Sequence, residues 1–350
     1  MGTLFQKCFR KNKKAMTYTG YGRVIKGVGG LFTVKLLARE SRIYDGSRGE
    51  AMPLDDCLVV ARGRGNLHRK GALLVGDLVE VSYGGGSFTM QDGKAIPAPD
   101  GAGIAIDRIC ERKNALIRPP MANLDVLFVT VAAATPDPIL ETVDKLISIA
   151  EFNRIEPVIV ITKSELAPSF AAQLQTLYRN AGFAAFCTGE GILDGEHELK
   201  QYIDTALDGK IAAFSGASGV GKSTMLNRLF PQLALETGAL SHRIERGKNT
   251  TRCVELYPIT KGVDCAYLAD TPGFTMLDFE RFDFFDKEDL PYTFREFEAY
   301  IGECRYTKCS HTKEQGCAII AAVNRGDVAK SRHQSFVSLY EVLKKKTKWN

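Results

Sequence analysis

The chain has 350 residues, 45% apolar and 25% charged, with a formal net charge of +5. That is an ordinary globular composition, long enough for two or three domains. No apolar run reaches the roughly 18 residues of a membrane span, and "MGTLFQKCFRKNKKAM" lacks an apolar signal core, so neither membrane insertion nor export is expected. The charge is too small to require a nucleic-acid partner, but it is uneven. Residues 1–26 carry seven Lys or Arg and no acid, and residues 325–350 carry seven against Asp327 and Glu341. Such ends suit a polyanion such as RNA, or are simply solvated. The nine cysteines, without a signal peptide, favour reduced thiols, a metal site and a cytoplasmic location over disulfides.

Residues 17–112 read as short strands broken by Gly clusters, the pattern of a small β-barrel. "RPPMANLD", Arg118 to Asp125, reads as a linker on the strength of its two prolines. Beyond it the texture changes. "DVLFVTVAA", "EPVIVITK", "KIAAFSG" and "VDCAYLADTPG" are apolar, β-branched runs, and helical patterns such as "ILETVDKLISIAEFN" and "SFAAQLQTLYRNAGF" alternate with the earlier ones. Alternation on this scale predicts a parallel sheet covered on both faces. From about 275 the chain turns aromatic and acidic, then basic and helical.

"GASGVGKST" matches G-x-x-x-x-G-K-[ST] and follows a buried strand. Its residues, Gly216, Ala217, Ser218, Gly219, Val220, Gly221, Lys222, Ser223 and Thr224, form a candidate phosphate loop. The backbone N–H groups would cradle phosphates, Lys222 would reach the β- and γ-phosphates, and Ser223 would ligate Mg²⁺. "DTPG" ends the next apolar strand. Asp270 there would hold the Mg²⁺ water shell, and the Gly273 N–H would meet the γ-phosphate. Between them lies "RGKNTTR", where Thr250 or Thr251 would complete the Mg²⁺ shell as a switch; Thr251, next to Arg252, is preferred.

A guanine reader needs a carboxylate on an Asn/Thr-Lys-x-Asp/Glu turn, accepting hydrogen bonds from N1 and N2. "NRGD", Asn324 to Asp327, is one candidate, but it has Arg for Lys and no second base loop after it. "TKSE", with Thr162, Lys163, Ser164 and Glu165, ends a strand, and "FCTGEG" follows it with Thr188 and Gly189 as a second base loop. We choose "TKSE". The base reader then precedes the phosphate loop, which requires a circular permutation of the G domain. Further on, Cys304, Cys309, His311 and Cys317 follow C-x4-C-x-H-x5-C. Three thiolates and one imidazole make a closed tetrahedral set suited to structural zinc. The spacing departs from the commonest finger patterns, and reduced surface cysteines are the alternative.

Together "RPPMANLD", "TKSEL", "TGEG", "GASGVGKS", "TTR" and "DTPGF", with "VGD" and "GRGNLHRK" in the barrel, resemble the circularly permuted small-ribosomal-subunit-dependent GTPase A (RsgA/YjeQ) family over roughly residues 20 to 340. The resemblance implies a multidomain protein: an OB-fold β-barrel, a permuted α/β P-loop GTPase domain, and a mostly α zinc-binding domain. With a basic tail over 1–19, the expected divisions are 20–113, 114–276 and 277–350. It implies GTP/GDP, Mg²⁺ and one structural Zn²⁺ as cofactors, the 30S subunit and its rRNA as partners, and GTP hydrolysis coupled to late 30S maturation. Nothing asks for more than a monomer. Arg62, Arg64, His68, Arg69 and Lys70 in the barrel loop and the basic C-terminal helix are candidate RNA contacts.

The chain departs from the pattern of the family it resembles in two places, and from many other GTPases in a third. Phe274 stands where many GTPases place a water-orienting Gln. Asn249 stands where the family has a His. An Asn can orient a water but not take its proton, so Asn249 is the first candidate and His242 the second, and slow turnover by the isolated protein is expected. Glu165 replaces the more usual Asp. An alternative function is therefore a nucleotide-controlled rRNA-binding module with weak intrinsic hydrolysis; an ATPase of another kind is opposed by "TKSE".

Overall fold

The computed structural model describes residues 17–37, 42–44, 51–53, 57–65, 67, 72–84, 88–91, 94–97, 103–116, 120–231, 254–259, 265–270 and 285–345. The chain divides into two compact units, Met1–Asn123 with Cys253–Leu256 and Lys261–Asp264, and Leu124–Arg252 with Tyr257–Thr260 and Cys265–Asn350.

In the first unit the Gly-punctuated strands close on themselves. β1 (Thr17–Val28) pairs antiparallel with β2 (Leu31–Leu36) and, along its first half, with β4 (Leu78–Gly84). β2 pairs with β3 (Leu58–Gly63), β4 pairs with β5 (Ile104–Ile109), and a short parallel contact of Arg62 with Ala105 joins β3 to β5. The ring is the five-stranded barrel of an OB fold, which leaves none of these five strands with a free edge. Its interior is filled by alternate residues, among them Val24, Val34, Val59, Val79, Val81 and Ile106. Gly22 sits where β1 belongs to both ladders, opposite Leu36 and Val79. A Cβ there would overlap Val34 Cγ1 and lie 2.9 Å from the Lys35 carbonyl oxygen.

The "VGD" turn is a fastening point. Asp77 is fully buried; it accepts from the Leu74 N–H at 2.8 Å and from Arg112 Nε and Nη2 at 2.7 and 2.8 Å. The expected linker behaves differently from a free tether. Met121, Ala122 and Asn123 are buried. Asn123 Nδ2 donates to the Gly76 carbonyl at 3.0 Å while its Oδ1 accepts from Lys113 N at 2.8 Å. A side chain able to donate and accept at once turns the segment back onto the barrel.

The second unit contains the parallel sheet. β6 (Val126–Ala132), β7 (Glu156–Thr162), β8 (Ala184–Cys187), β9 (Ile211–Ser215) and β10 (Tyr267–Asp270) run in the order β8-β7-β6-β9-β10. All seven residues of β6 and all five of β9 are buried, as expected of central strands covered on both faces. Phe128 and Phe214 stack at 4.5 Å between those two strands. The helices are α1 (Leu140–Phe152), α2 (Pro168–Asn180), α3 (Leu193–Ala206) and α4 (Lys222–Leu229).

The C-terminal segment belongs to the same unit. Two short turns of 3₁₀ helix (Leu290–Thr293 and Arg295–Tyr300) precede the Cys/His loop, and α5 (Ala318–Arg325) and α6 (Lys330–Lys345) follow it. α6 packs on α1. Phe294, Phe297 and Phe336 meet with centroids 5.0–5.4 Å apart. Among the described residues no helix is long and apolar enough to cross a membrane.

Candidate nucleotide site and metal centre

β9 ends at Ser215 and the chain turns through Gly216 into the phosphate loop. Gly216 has φ +146°, and a Cβ there would overlap the Thr130 carbonyl oxygen on β6. Only glycine combines that conformation with that approach. Gly219 and Gly221 also have positive φ, +77° and +93°. α4 starts at Lys222, so its first amides are free of intrahelical partners and suited to an anion. Lys222 Nζ folds back to donate to the Gly216 and Ala217 carbonyls, both at 2.7 Å, and burial lowers its pKa.

The turn after β7 reaches the same place from a distant part of the sequence. Thr162 Oγ1 donates to the Val220 carbonyl. Lys163 Nζ donates to the Gly219 carbonyl at 2.9 Å and to the Thr135 carbonyl. Lys163 has φ +54°, which tips the chain into the short 3₁₀ turn Ser164–Leu166. Ser164 N donates to the Thr188 carbonyl at 3.1 Å, and Thr188 N to the Ile161 carbonyl at 2.7 Å, so the Ser164 and Thr188 turns are both stitched to the end of β7. Glu165 Oε2 is buried and, among the described residues, has no hydrogen-bond partner.

"NRGD" is the end of α5. Gly326 has φ +86°, its N–H donates to the Val323 carbonyl at 3.1 Å, and Asp327 N donates to the Ala322 carbonyl at 3.0 Å. That is a helix C-cap, and Asp327 pairs with Arg325 at 2.9 Å. Asp270 ends β10. His242, Asn249, Thr250, Thr251, Arg252, Gly273 and Phe274 lie outside the described residues, as do His68, Arg69 and Lys70. Arg62 and Arg64 are exposed on the barrel; Arg64 pairs with Asp107 at 2.5 Å.

At the metal centre, one ligand atom each from Cys304, Cys309, His311 and Cys317 lies within 4.8 Å of all the others. Cys304 Sγ is 3.8 Å from Cys317 Sγ, and both are 3.5 Å from His311 Nδ1. A tetrahedron with Zn–S bonds of about 2.3 Å has S···S edges of about 3.8 Å, so the donors fit zinc in spacing and in kind. Burial lowers the pKa of His311, favouring the neutral imidazole that binds metal. Burial and the neighbouring Cys317 and Cys304 push the Cys309 thiol up to about 12, so metal uptake must displace protons. Sequence reading missed Glu314. Its carboxylate accepts from the backbone amides of Ser310, Thr312 and Lys313 at 3.0–3.1 Å and from Ser310 Oγ, pinning the loop that carries Cys309 and His311. Burial alone would raise its pKa, but these hydrogen bonds hold it at about 2.

A Thr-Lys-x-Glu turn that comes before the glycine-rich loop in sequence, yet grips it in one parallel sheet, marks a circularly permuted P-loop GTPase. The RsgA GTPase family model matches residues 109–280. A protein of Caldanaerobacter subterraneus subsp. tengcongensis, named small ribosomal subunit biogenesis GTPase RsgA, is 34% identical over 329 residues, covering 93% of this chain and 97% of that relative. A namesake from Alkaliphilus metalliredigens is 34% identical over 331 residues, covering 94% and 99%. The crystal structure of YjeQ from Thermotoga maritima superposes with a TM-score of 0.69 at 26% identity, over 94% of this chain and 100% of that one. YloQ, described as a circularly permuted GTPase, gives 0.67 at 26% identity over 97% and 100%. The chain belongs to the RsgA GTPase family.

Proposed function

We propose that the protein binds the 30S ribosomal subunit and couples GTP hydrolysis to late small-subunit maturation. The observation that carries the nucleotide part is the grip of Thr162 and Lys163 on the carbonyls of Val220 and Gly219. That grip supports a guanine reader lying beside a phosphate cradle.

In this reading Glu165 accepts from guanine N1 and N2, Lys163 and the Thr188–Gly189 loop flank the base, and the Gly216–Thr224 amides with Lys222 hold the phosphates. Ser223 and Thr251 would hold Mg²⁺, whose chemistry is to neutralise charge building on the β- and γ-phosphates. Asp270 would help to hold that ion, the Gly273 N–H would meet the γ-phosphate, and Asn249 would orient the attacking water. Cys304, Cys309, His311 and Cys317 hold one structural zinc, which supplies folding free energy and leaves no ligand position for a catalytic water.

The ribosomal part is supported by the relatives' names and by the basic residues of the barrel loop and the C-terminus. The protein acts as a monomer in the cytoplasm, with a barrel over 20–113, a G domain over 114–276 and a zinc module over 277–350. The test is GTP hydrolysis in Mg²⁺ with and without purified 30S subunits. Strong stimulation is expected. Tight GTP binding without stimulation would instead support a nucleotide-controlled rRNA-binding module, the reading that Phe274 and Asn249 keep open.

A further inference from the structure

Glu165 and Gly189 are 24 positions apart and touch. A Cβ built on Gly189 would fall deep inside the van der Waals surface of Glu165 Oε2 and lie 3.0 Å from its Cδ and 3.1 Å from Ser164 N. The backbone does not require glycine here. Gly189 is absent from the positive-φ glycines, whereas its neighbour Gly191 is among them at +76°. The first obstacle to a Cβ is a side-chain carboxylate, with the backbone Ser164 N a lesser one at 3.1 Å.

We infer that Gly189 is a specificity-determining residue, the partner that lets a glutamate do the work of base reading. A glutamate arm is one methylene longer than an aspartate arm. Its carboxylate can remain where the base edge meets it only if the facing loop gives way. The facing loop is fixed, because Thr188 N is bonded to the Ile161 carbonyl and Ser164 N to the Thr188 carbonyl. It therefore gives way by losing a side chain rather than by moving. Glu165 Oε2 is buried against Gly189 and has no hydrogen-bond partner among the described residues, which fits this role. Adding a methyl at 189 would displace the flexible end of Glu165 more readily than the backbone, so the damage falls on the reader and not on the fold.

The inference rests on the assignment of Glu165 as guanine reader, and the experiment separates the two. Binding of GDP and of inosine diphosphate, which lacks the 2-amino donor, is measured on the full chain in Mg²⁺ by calorimetry. Thermal midpoints report folding. Glu165→Ala should abolish the preference for GDP over inosine diphosphate. If it does not, the base-reading assignment fails and this inference falls with it. Gly189→Ala should weaken GDP binding by about ten- to a hundredfold, the loss of hydrogen bonds to a charged group. It should weaken inosine diphosphate binding less, bringing the ratio close to that of Glu165→Ala. In the Glu165→Asp background the same Gly189→Ala change should cost under about threefold, because the shorter arm leaves the space free. A Gly189→Ala protein that keeps its full GDP preference overturns the inference while the base-reading assignment stands. So does an equal loss in both backgrounds, or failure of both Gly189→Ala proteins to fold, since each would make the glycine a backbone requirement.

Discussion

Arg332 Nη1 lies 2.5 Å from Asp144 Oδ1, and both side chains are 1% exposed. Arg332 Nε and Nη2 also bind Glu296 at 2.7 and 3.1 Å, Tyr178 donates to Asp144 Oδ1 at 3.2 Å, and the guanidinium lies 4.5 Å from the Phe294 ring centroid. One cation on α6 thus joins an acid on α1 to an acid in the 3₁₀ turn. Burial and the two carboxylates act oppositely on the guanidinium, and the carboxylates prevail, raising its pKa. Arg332→Ala leaves Asp144 and Glu296 buried without their cation. It is expected to destabilise the second unit by about 3–5 kcal/mol in urea unfolding. Arg332→Lys should recover only part, since an ammonium cannot bind both acids as a planar fork while stacking on Phe294.

The zinc loop is expected to depend on Glu314 as well as on its four ligands. Chelation of zinc should collapse residues 304–317, with loss of something on the order of 10 kcal/mol of local folding free energy. Glu314→Ala, which frees three backbone amides, should lower zinc retention about tenfold or more against a chelator of known affinity. Unchanged retention would mean that Glu314 is a surface carboxylate with no hold on the ligands.

Lys222 gives a pH signature. Its pKa in the free protein is lowered by burial. A phosphate group favours the charged form, so nucleotide binding raises that pKa again and takes up a proton once the free lysine has begun to lose its own. Affinity for GDP should therefore fall as pH rises through the lowered pKa, with the onset below the ordinary lysine range. Lys222→Arg, whose charge persists, should lack this component. The difference between the two proteins cancels the titration of the guanine itself. Parallel pH profiles would show that Lys222 does not carry the phosphate charge.

Asn249 tests the hydrolytic step. If it orients the attacking water by hydrogen bonding, Asn249→Ala should lower kcat in single-turnover GTP hydrolysis with 30S subunits by about tenfold or more, while GDP affinity changes little. Asn249→His should retain or exceed the original rate. A kcat unmoved by Asn249→Ala would transfer the role to His242 or to a group supplied by the ribosome.

What the sequence made legible was local chemistry. "GASGVGKST" needs its glycines, lysine and serine within nine residues, and the Cys/His set needs four donors within fourteen, so each is visible as a string. The places of "TKSE" and "NRGD" were partly legible too: the first was expected to end a strand and does, while the second proves to be the C-cap of α5. What stayed hidden depends on distance in the chain. Arg332 counts in the sequence as one of seven basic residues in a charged C-terminal segment, yet it is neutralised inside the protein by residues 188 and 36 positions away. Glu165 reads as a departure from aspartate and Gly189 as part of a second base loop, but nothing in the string says that the two touch. The buried Met121–Asn123 segment was concealed by the two prolines before it, which mark a turn but do not say whether the next residues dock.

The strand order β8-β7-β6-β9-β10 has a bearing on synthesis. A chain growing from its N-terminus completes Val126–Cys187 before Ile211–Ser215 exists. β6, β7 and β8 with α1 and α2 make a contiguous unit of parallel pairs, but β6 is a central strand whose second neighbour is β9. Until β9 emerges, roughly 1–5 s later at ordinary elongation rates, Val126–Val129 present an unpaired apolar edge. Such an edge invites pairing with another strand. The permutation thus moves the exposed interval of folding onto the half that carries Thr162–Glu165, and it closes when the strand leading into the glycine-rich loop arrives.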